Sequence, residues 1–189
     1  MRDQAFLYLG IPEHIIRERA GGRMTIIALS DPAEAPLVAA ELARDGVDRI
    51  ALCGAFALPW RARVAEAVAH RAVVGSVGYA FESLTGVAAF KANFEAGKPS
   101  RGAFISLEPG TDPAVDRSVR EADGHHTTLV AVPDTEAAVR ISLRLVAEGV
   151  TLIELFGGFD SAGTAAVIEA VEGRCPVGWV GYGTEALAA

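Results

Sequence analysis

The sequence predicts an α/β protein built from two tandem β-β-α-β-α-β copies with mainly parallel strands, packed about a pseudo-two-fold axis. Three observations predict it. First, Met24 to Leu84 aligns without a gap on Thr127 to Leu187, with identities that include Gly46/Gly149, Ile50/Ile153, Gly54/Gly157, Phe56/Phe159, Gly75/Gly178, Gly78/Gly181 and Tyr79/Tyr182. Glycines and apolar positions that recur together mark an internal duplication. Second, short apolar runs alternate with helical stretches, which calls for parallel strands joined by right-handed crossovers. Third, runs such as Met24-Thr-Ile-Ile-Ala-Leu29 are too uniformly apolar for a strand with one wet face.

The copies occupy residues 1–95 and 96–189, expected to pack as one structural unit. Each opens on a strand, Ala5-Phe-Leu-Tyr-Leu9 or Ala103-Phe-Ile-Ser-Leu107, followed by a connection expected to be a loop or short helix. That connection is five residues longer in the second copy, an insertion lying within Glu108 to His126. A second strand follows, then a helix capped by Asp31 before Pro32, or by Asp134. Gly46 and Gly149 supply the left-handed stop. The third strand is Arg49 to Cys53, or Leu152 to Phe156. Pro59, or Asp160 and Ser161, then open another helix, and the last strand is Ala72 to Tyr79, or Cys175 to Tyr182. A further helix over Val87 to Ala96 joins the copies. Eight strands also fit a small (βα)8-like barrel of two half-barrels, the alternative architecture, although such barrels typically need ~250 residues.

Composition excludes several function classes. A formal net charge of -7 with no Lys/Arg run disfavours nucleic acid and acidic membranes as partners. No apolar stretch reaches the ~20 residues of a membrane span, and the N-terminus lacks a signal-peptide core. Cys53 and Cys175 form no disulfide framework, so a reducing cytoplasm is the expected location. No nucleotide fingerprint or metal-ligand spacing stands out, so no cofactor is expected.

The strings Phe6-Leu-Tyr-Leu-Gly10, Glu148-Gly-Val-Thr-Leu-Ile-Glu-Leu-Phe-Gly-Gly-Phe159 and Pro176-Val-Gly-Trp-Val-Gly-Tyr-Gly183 resemble a family of short bacterial α/β proteins, a domain of unknown function about one copy long. The resemblance covers nearly the whole chain, twice, and implies no settled activity. The family pattern combines Glu and Cys in the third strand as Ile-Glu-Leu-Cys-Gly-Gly-Phe. This chain divides them, with Ala51 and Cys53 in the first copy and Glu154 and Phe156 in the second.

Ligands of parallel α/β sheets bind beyond the carboxyl ends of the strands. Glu154 is the leading candidate, a mid-strand carboxylate on the face of Leu152 and Phe156, read either as a general acid/base or as a structural carboxylate paired with an arginine. His125 and His126 of the inserted segment are its candidate proton-transfer partners, and Arg117 and Arg120 the candidate forks for a substrate carboxylate. Glu108, Asp160, Tyr79 and Tyr182 complete the expected pocket. Asp112-Pro113 reads as a helix start, which would turn much of the insertion's charge toward solvent. Gly157-Gly158 lacks phosphate-loop spacing, and Asp160 after it repels anions, so a packing turn is the better reading.

Two functions follow. One is a cofactor-independent enzyme of isomerase, lyase or cyclase type, using acid/base chemistry on a small polar or anionic metabolite. The other is a non-catalytic small-molecule-binding or structural protein. The fused copies leave a monomer or a homodimer as alternatives.

Overall fold

A computed structural model describes residues 3–19, 22–122 and 124–183. They divide into two compact units, Met1–Val77 with Val180–Ala189, and Gly78–Trp179. These are not the two sequence copies. The end of the first copy, from Gly78 on, belongs to unit 2, and the end of the second, from Val180 on, belongs to unit 1.

Unit 1 contains β1 (Asp3–Leu9), β2 (Glu13–Arg19), β3 (Gly22–Leu29), α1 (Ala35–Arg44), β4 (Val47–Cys53), α2 (Leu58–Val68) and most of β5 (Val73–Tyr79). Its strands run in the order β2-β3-β1-β4-β5. All its pairs are parallel except β2 with β3, which is antiparallel from Glu13↔Ala28 to Arg19↔Gly22. The local signals behave as the residues dictate. Asp31 accepts from Ala33 N at 2.8 Å and Glu34 reaches back to Asp31 N at 3.0 Å, a capping box around Pro32. Gly46 ends the helical segment at φ 92°.

Unit 2 repeats the plan. It contains α3 (Leu84–Glu95), β6 (Ser100–Leu107), β7 (Arg117–Ala122), β8 (His125–Val132), α4 (Thr135–Ala147), β9 (Leu152–Phe156), α5 (Ser161–Val171) and the start of β10 (Val177–Tyr182). The strand order is β10-β9-β6-β8-β7, again parallel except for the edge pair β7 with β8. Asp134 caps α4 through Ala137 N, and Asp160 caps α5 through Gly163 N at 2.7 Å.

The two tandem, mainly parallel copies expected from sequence are present, with one correction in each. The first connection is neither a loop nor a short helix but an antiparallel edge strand, β2 or β7. Charged residues along both strands suit an exposed edge, where they discourage pairing with other chains. Asp112-Pro113 starts no helix. Asp116 N bonds Asp112 O at 2.7 Å to close a single turn, and the chain then enters β7. The inserted residues lie in the turn between β6 and β7.

In each unit the helices cover one face of the sheet. Ala103, Ile105, Val130, Val132, Ile153 and Leu155 pack there against Ala138 and Leu145 of α4 and Val167 and Val171 of α5. The unit 1 equivalents are Ala5, Leu7, Ile50 and Leu52 against Ala39 of α1 and Val64 of α2. The opposite face is also buried, at Phe6, Ile26 and Cys53 in unit 1 and at Phe104, Leu129 and Phe156 in unit 2. Burial of both faces accounts for the near-continuous apolar runs. At the N-terminal ends of the unit 2 strands lies α3. Ser83 before it bonds both N and O of Val177, Gly86 sits against Pro176, and the Phe94 ring tilts onto His125 at 4.7 Å. No helix among the described residues is long and apolar enough to cross a membrane.

Candidate functional site

Strand alternation sends Ile153 and Leu155 toward α4 and α5, so Leu152, Glu154 and Phe156 point to the helix-free face. Glu154 is 2% exposed. In register it stands opposite Phe104 on β6 and Gly178 on β10, an apolar ring on one side and no side chain on the other. A carboxylate so placed needs a donor, because burying its charge uncompensated is costly. The donor is Tyr79, whose phenol O–H lies 2.6 Å from Glu154 Oε1. That length is typical of a hydroxyl bonding an ionised acceptor. Tyr79 is only partly buried, so the pair runs from a buried carboxylate toward a more open phenol.

A second acid occupies the same face. Glu108, just past the end of β6, is 7% exposed and accepts from Ser106 Oγ at 2.5 Å. Thr111 Oγ1 donates to the Glu108 carbonyl at 2.8 Å and ties the inserted turn to it. From the strand rise and spacing, Glu108 and Glu154 Cα atoms are about 14 Å apart. They are two separate acids on one surface, not a carboxylate dyad sharing a proton.

The histidines lie elsewhere. His125 is the first residue of β8, level with Ser100, whose Oγ is 2.7 Å from its Nδ1. Its Cα is about 16 Å from that of Glu154 by the same spacing. His126 points to the other face, with Nδ1 3.0 Å from Glu121. Proton transfer between Glu154 and either histidine is therefore not the arrangement found. The insertion lies at the carboxyl end of β6, whereas the histidines begin the following strand at the opposite end of the sheet.

The arginine forks are also displaced. Arg117 turns to the helix face and pairs with Glu148 at 2.5 Å, while Arg144 holds the other oxygen at 2.8 Å. The hydrogen bond from Arg117 holds the Glu148 carboxyl below the usual carboxylate range, with partial burial opposing and Arg144 assisting. Arg120 is on the helix-free face, opposite Thr127, but on the edge strand β7 and three strands from Glu154. Asp160 is occupied as the α5 cap. A Cβ at Gly157 would lie 3.0 Å from Leu107 N, so the Gly-Gly turn packs on the end of β6.

Tyr182, the repeat mate of Tyr79, belongs to unit 1. Its ring lies against Gly75 and under the Arg49 guanidinium, 5.2 Å from the ring centroid. Burial pushes its phenol well above the ordinary range; Arg49 opposes this, and Cys53 and Asp48 add to it. Cys53 is buried, as is Cys175, whose thiol is pushed up to about 12 by burial with a backbone hydrogen bond from Ile153 opposing. Ser106 and Arg49 were not anticipated from sequence. Both occupy positions where the copies differ, Ser106 against Tyr8 and Arg49 against Leu152, and that difference was the available signal.

The fold and site define a duplicated α/β protein with polar groups placed on a buried, helix-free sheet face. The chain belongs to a family of unknown function (DUF6506), whose model matches residues 10–92 and again 100–189. No protein of curated function matches it. Among solved structures it is similar to an ABC transporter solute binding protein from Clostridium phytofermentas with bound L-rhamnose, at 11% identity and a TM-score of 0.31, covering 90% of this chain and 64% of that one. It is similar also to a carbohydrate transporter from Acidothermus cellulolyticus 11B in complex with myo-inositol, at 12% identity and a TM-score of 0.31, covering 94% and 73%. Likeness at this level bears on neither ligand nor activity.

Proposed function

We propose that unit 2 binds a small polar molecule on its helix-free face and that Glu154 acts there as an acid/base through Tyr79. The observation that carries this reading is the 2.6 Å bond between a 2%-exposed carboxylate and a partly open phenol. A substrate proton accepted at the Tyr79 oxygen would be matched by passage of the phenol's own proton to Glu154 Oε1. The reverse transfer would protonate substrate, as an isomerase, lyase or cyclase requires. Both acids on this face, Glu154 and Glu108, favour a ligand that presents hydroxyl or amine donors over one that presents an anion.

The second reading is binding without catalysis, favoured by the separation of both histidines from Glu154. A thermal-shift screen of the full chain against polyols, amines and hydroxy acids tests both. A true ligand at ~100 Kd stabilises by roughly 2.7 kcal/mol. Loss of that shift in Glu154→Gln supports the site, and an undiminished shift in that variant sinks it. With a ligand in hand, turnover that disappears in Tyr79→Phe while binding persists selects the enzyme.

A further inference from the structure

The helix-free face of unit 1 carries the repeat counterpart of this site with the opposite charge. Where the second copy has Leu152, Glu154 and Phe156, the first has Arg49, Ala51 and Cys53. Arg49 pairs in register with Gln4 and Ala51 with Phe6, and Gly75 stands opposite Ala51 on β5. Tyr182 fills the space above Gly75, where a Cβ would come within 2.8 Å of its ring. The unit 1 tyrosine thus sits beside an arginine, while the unit 2 tyrosine is bonded to a glutamate.

We infer that Arg49 and Tyr182 form a binding site for a small oxyanion, a carboxylate or a phosphate, separate from the Glu154 site. Two observations carry it independently. The repeat comparison shows that the acid of the second copy has no counterpart in the first, which instead has a cation two residues earlier on the same face. Arg49, moreover, is partly buried, and among the described residues its guanidinium lies over the Tyr182 ring with no side-chain hydrogen bond or carboxylate partner. A partly buried guanidinium ordinarily has such a partner, because ring contact leaves its five N–H donors unused. An oxyanion matches that fork in two parallel bonds, and the Tyr182 hydroxyl supplies a further donor.

The test is isothermal titration of the full chain with succinate and, separately, with inorganic phosphate. Saturable binding of either is expected, and the arm that responds names the oxyanion. Arg49→Gln should weaken it by at least about tenfold, the loss of a charge-assisted contact. Arg140→Gln removes the same charge from the exposed α4 surface, where Arg140 pairs with Glu136, and should leave binding unchanged. Arg49→Lys keeps the charge without the fork and should fall between wild type and Arg49→Gln, which guards against a folding defect in the neutral variant. No saturable binding of either anion by the wild type overturns the inference. So does equal binding by wild type and a folded Arg49→Gln, or an equal loss in Arg140→Gln. None of these results touches the Glu154 reading, which rests on other residues and other ligands.

Discussion

The Tyr79–Glu154 bond is open to a direct energetic test by a double-mutant cycle. Tyr79→Phe removes only the hydroxyl and leaves the Glu154 carboxylate, 2% exposed, without that donor. A hydrogen bond to a charged group contributes about 1.5–3 kcal/mol, so the variant should lose that much. Glu154→Gln preserves shape and an acceptor for the phenol but introduces a buried amide N–H2 in need of partners, at a cost of about 1–3 kcal/mol. The double variant has neither the phenol nor the charge, so the two losses should not add. A coupling energy of about 1.5 kcal/mol is expected from urea midpoints at constant m. The cycle matters because Glu154 and Tyr79 both have further interactions, which cancel in the coupling term but inflate each single loss. A coupling under ~0.5 kcal/mol, the ordinary scatter of independent sites, would refute the view that this pair holds the buried acid.

Two further outcomes follow from the same geometry. Gly75→Ala puts a Cβ 2.5 Å from Val180 Cγ1 and 2.8 Å from the Tyr182 ring, and Val180 is stiff about χ1, so a loss of about 1–3 kcal/mol is expected. Gly78→Ala, with nothing within 4 Å, should be close to neutral, and equal urea midpoints for the two variants would contradict the tight approach. Arg117→Gln tests the Glu148 pairing through pH. Because the folded carboxyl is held below its unfolded value, its stabilisation is full above the unfolded value of about 4.3 and fades as pH falls through the folded one. The stability gap between wild type and Arg117→Gln should therefore be larger at neutral pH than near pH ~3. A gap that grows in acid would mean that another contact of Arg117 is responsible. Glu148 is 34% exposed, so solvent screening keeps the effect small.

Much of the fold was legible because the residues that specify it act locally. Asp31, Asp134 and Asp160 cap helices through their own side chains, and Gly46 and Gly149 stop them, with no tertiary information required. The hairpin strands β2 and β7 were not legible. Glu13-His-Ile-Ile-Arg-Glu-Arg19 mixes charge into both faces, so it lacks the alternation that marks a half-buried strand, and only pairing with β3 makes it one. In the site, the face of Glu154 followed from alternation alone. Its partner did not. Tyr79 is 75 residues away, and nothing in the spacing of the two says that its phenol reaches Glu154. The inserted segment misled for a related reason. Sequence adjacency joins Glu108 to His125, but an intervening strand carries the chain back to the opposite end of the sheet.

The difference between Ala51 in the first copy and Glu154 in the second is better understood as divergence than as decay. Had the first copy merely lost a site, the replacement of Glu by Ala51 would leave a small apolar gap and Tyr182 without a polar neighbour. Instead Arg49 appears over that tyrosine, where the second copy has Leu152. A leucine at this level suits a buried face, and an arginine in its place incurs a desolvation cost that packing alone does not offset. At the head of each copy, by contrast, both units have an acid. Tyr8 bonds Glu13 in unit 1, whereas unit 2 has a short serine in that position with Glu108 beside it. At the stations of Tyr79 and Tyr182, then, the two units differ in the charge beside the ring, acidic in unit 2 and basic in unit 1. Duplication permits this because each copy keeps its own helix-covered core, leaving the helix-free face to vary without loss of the fold.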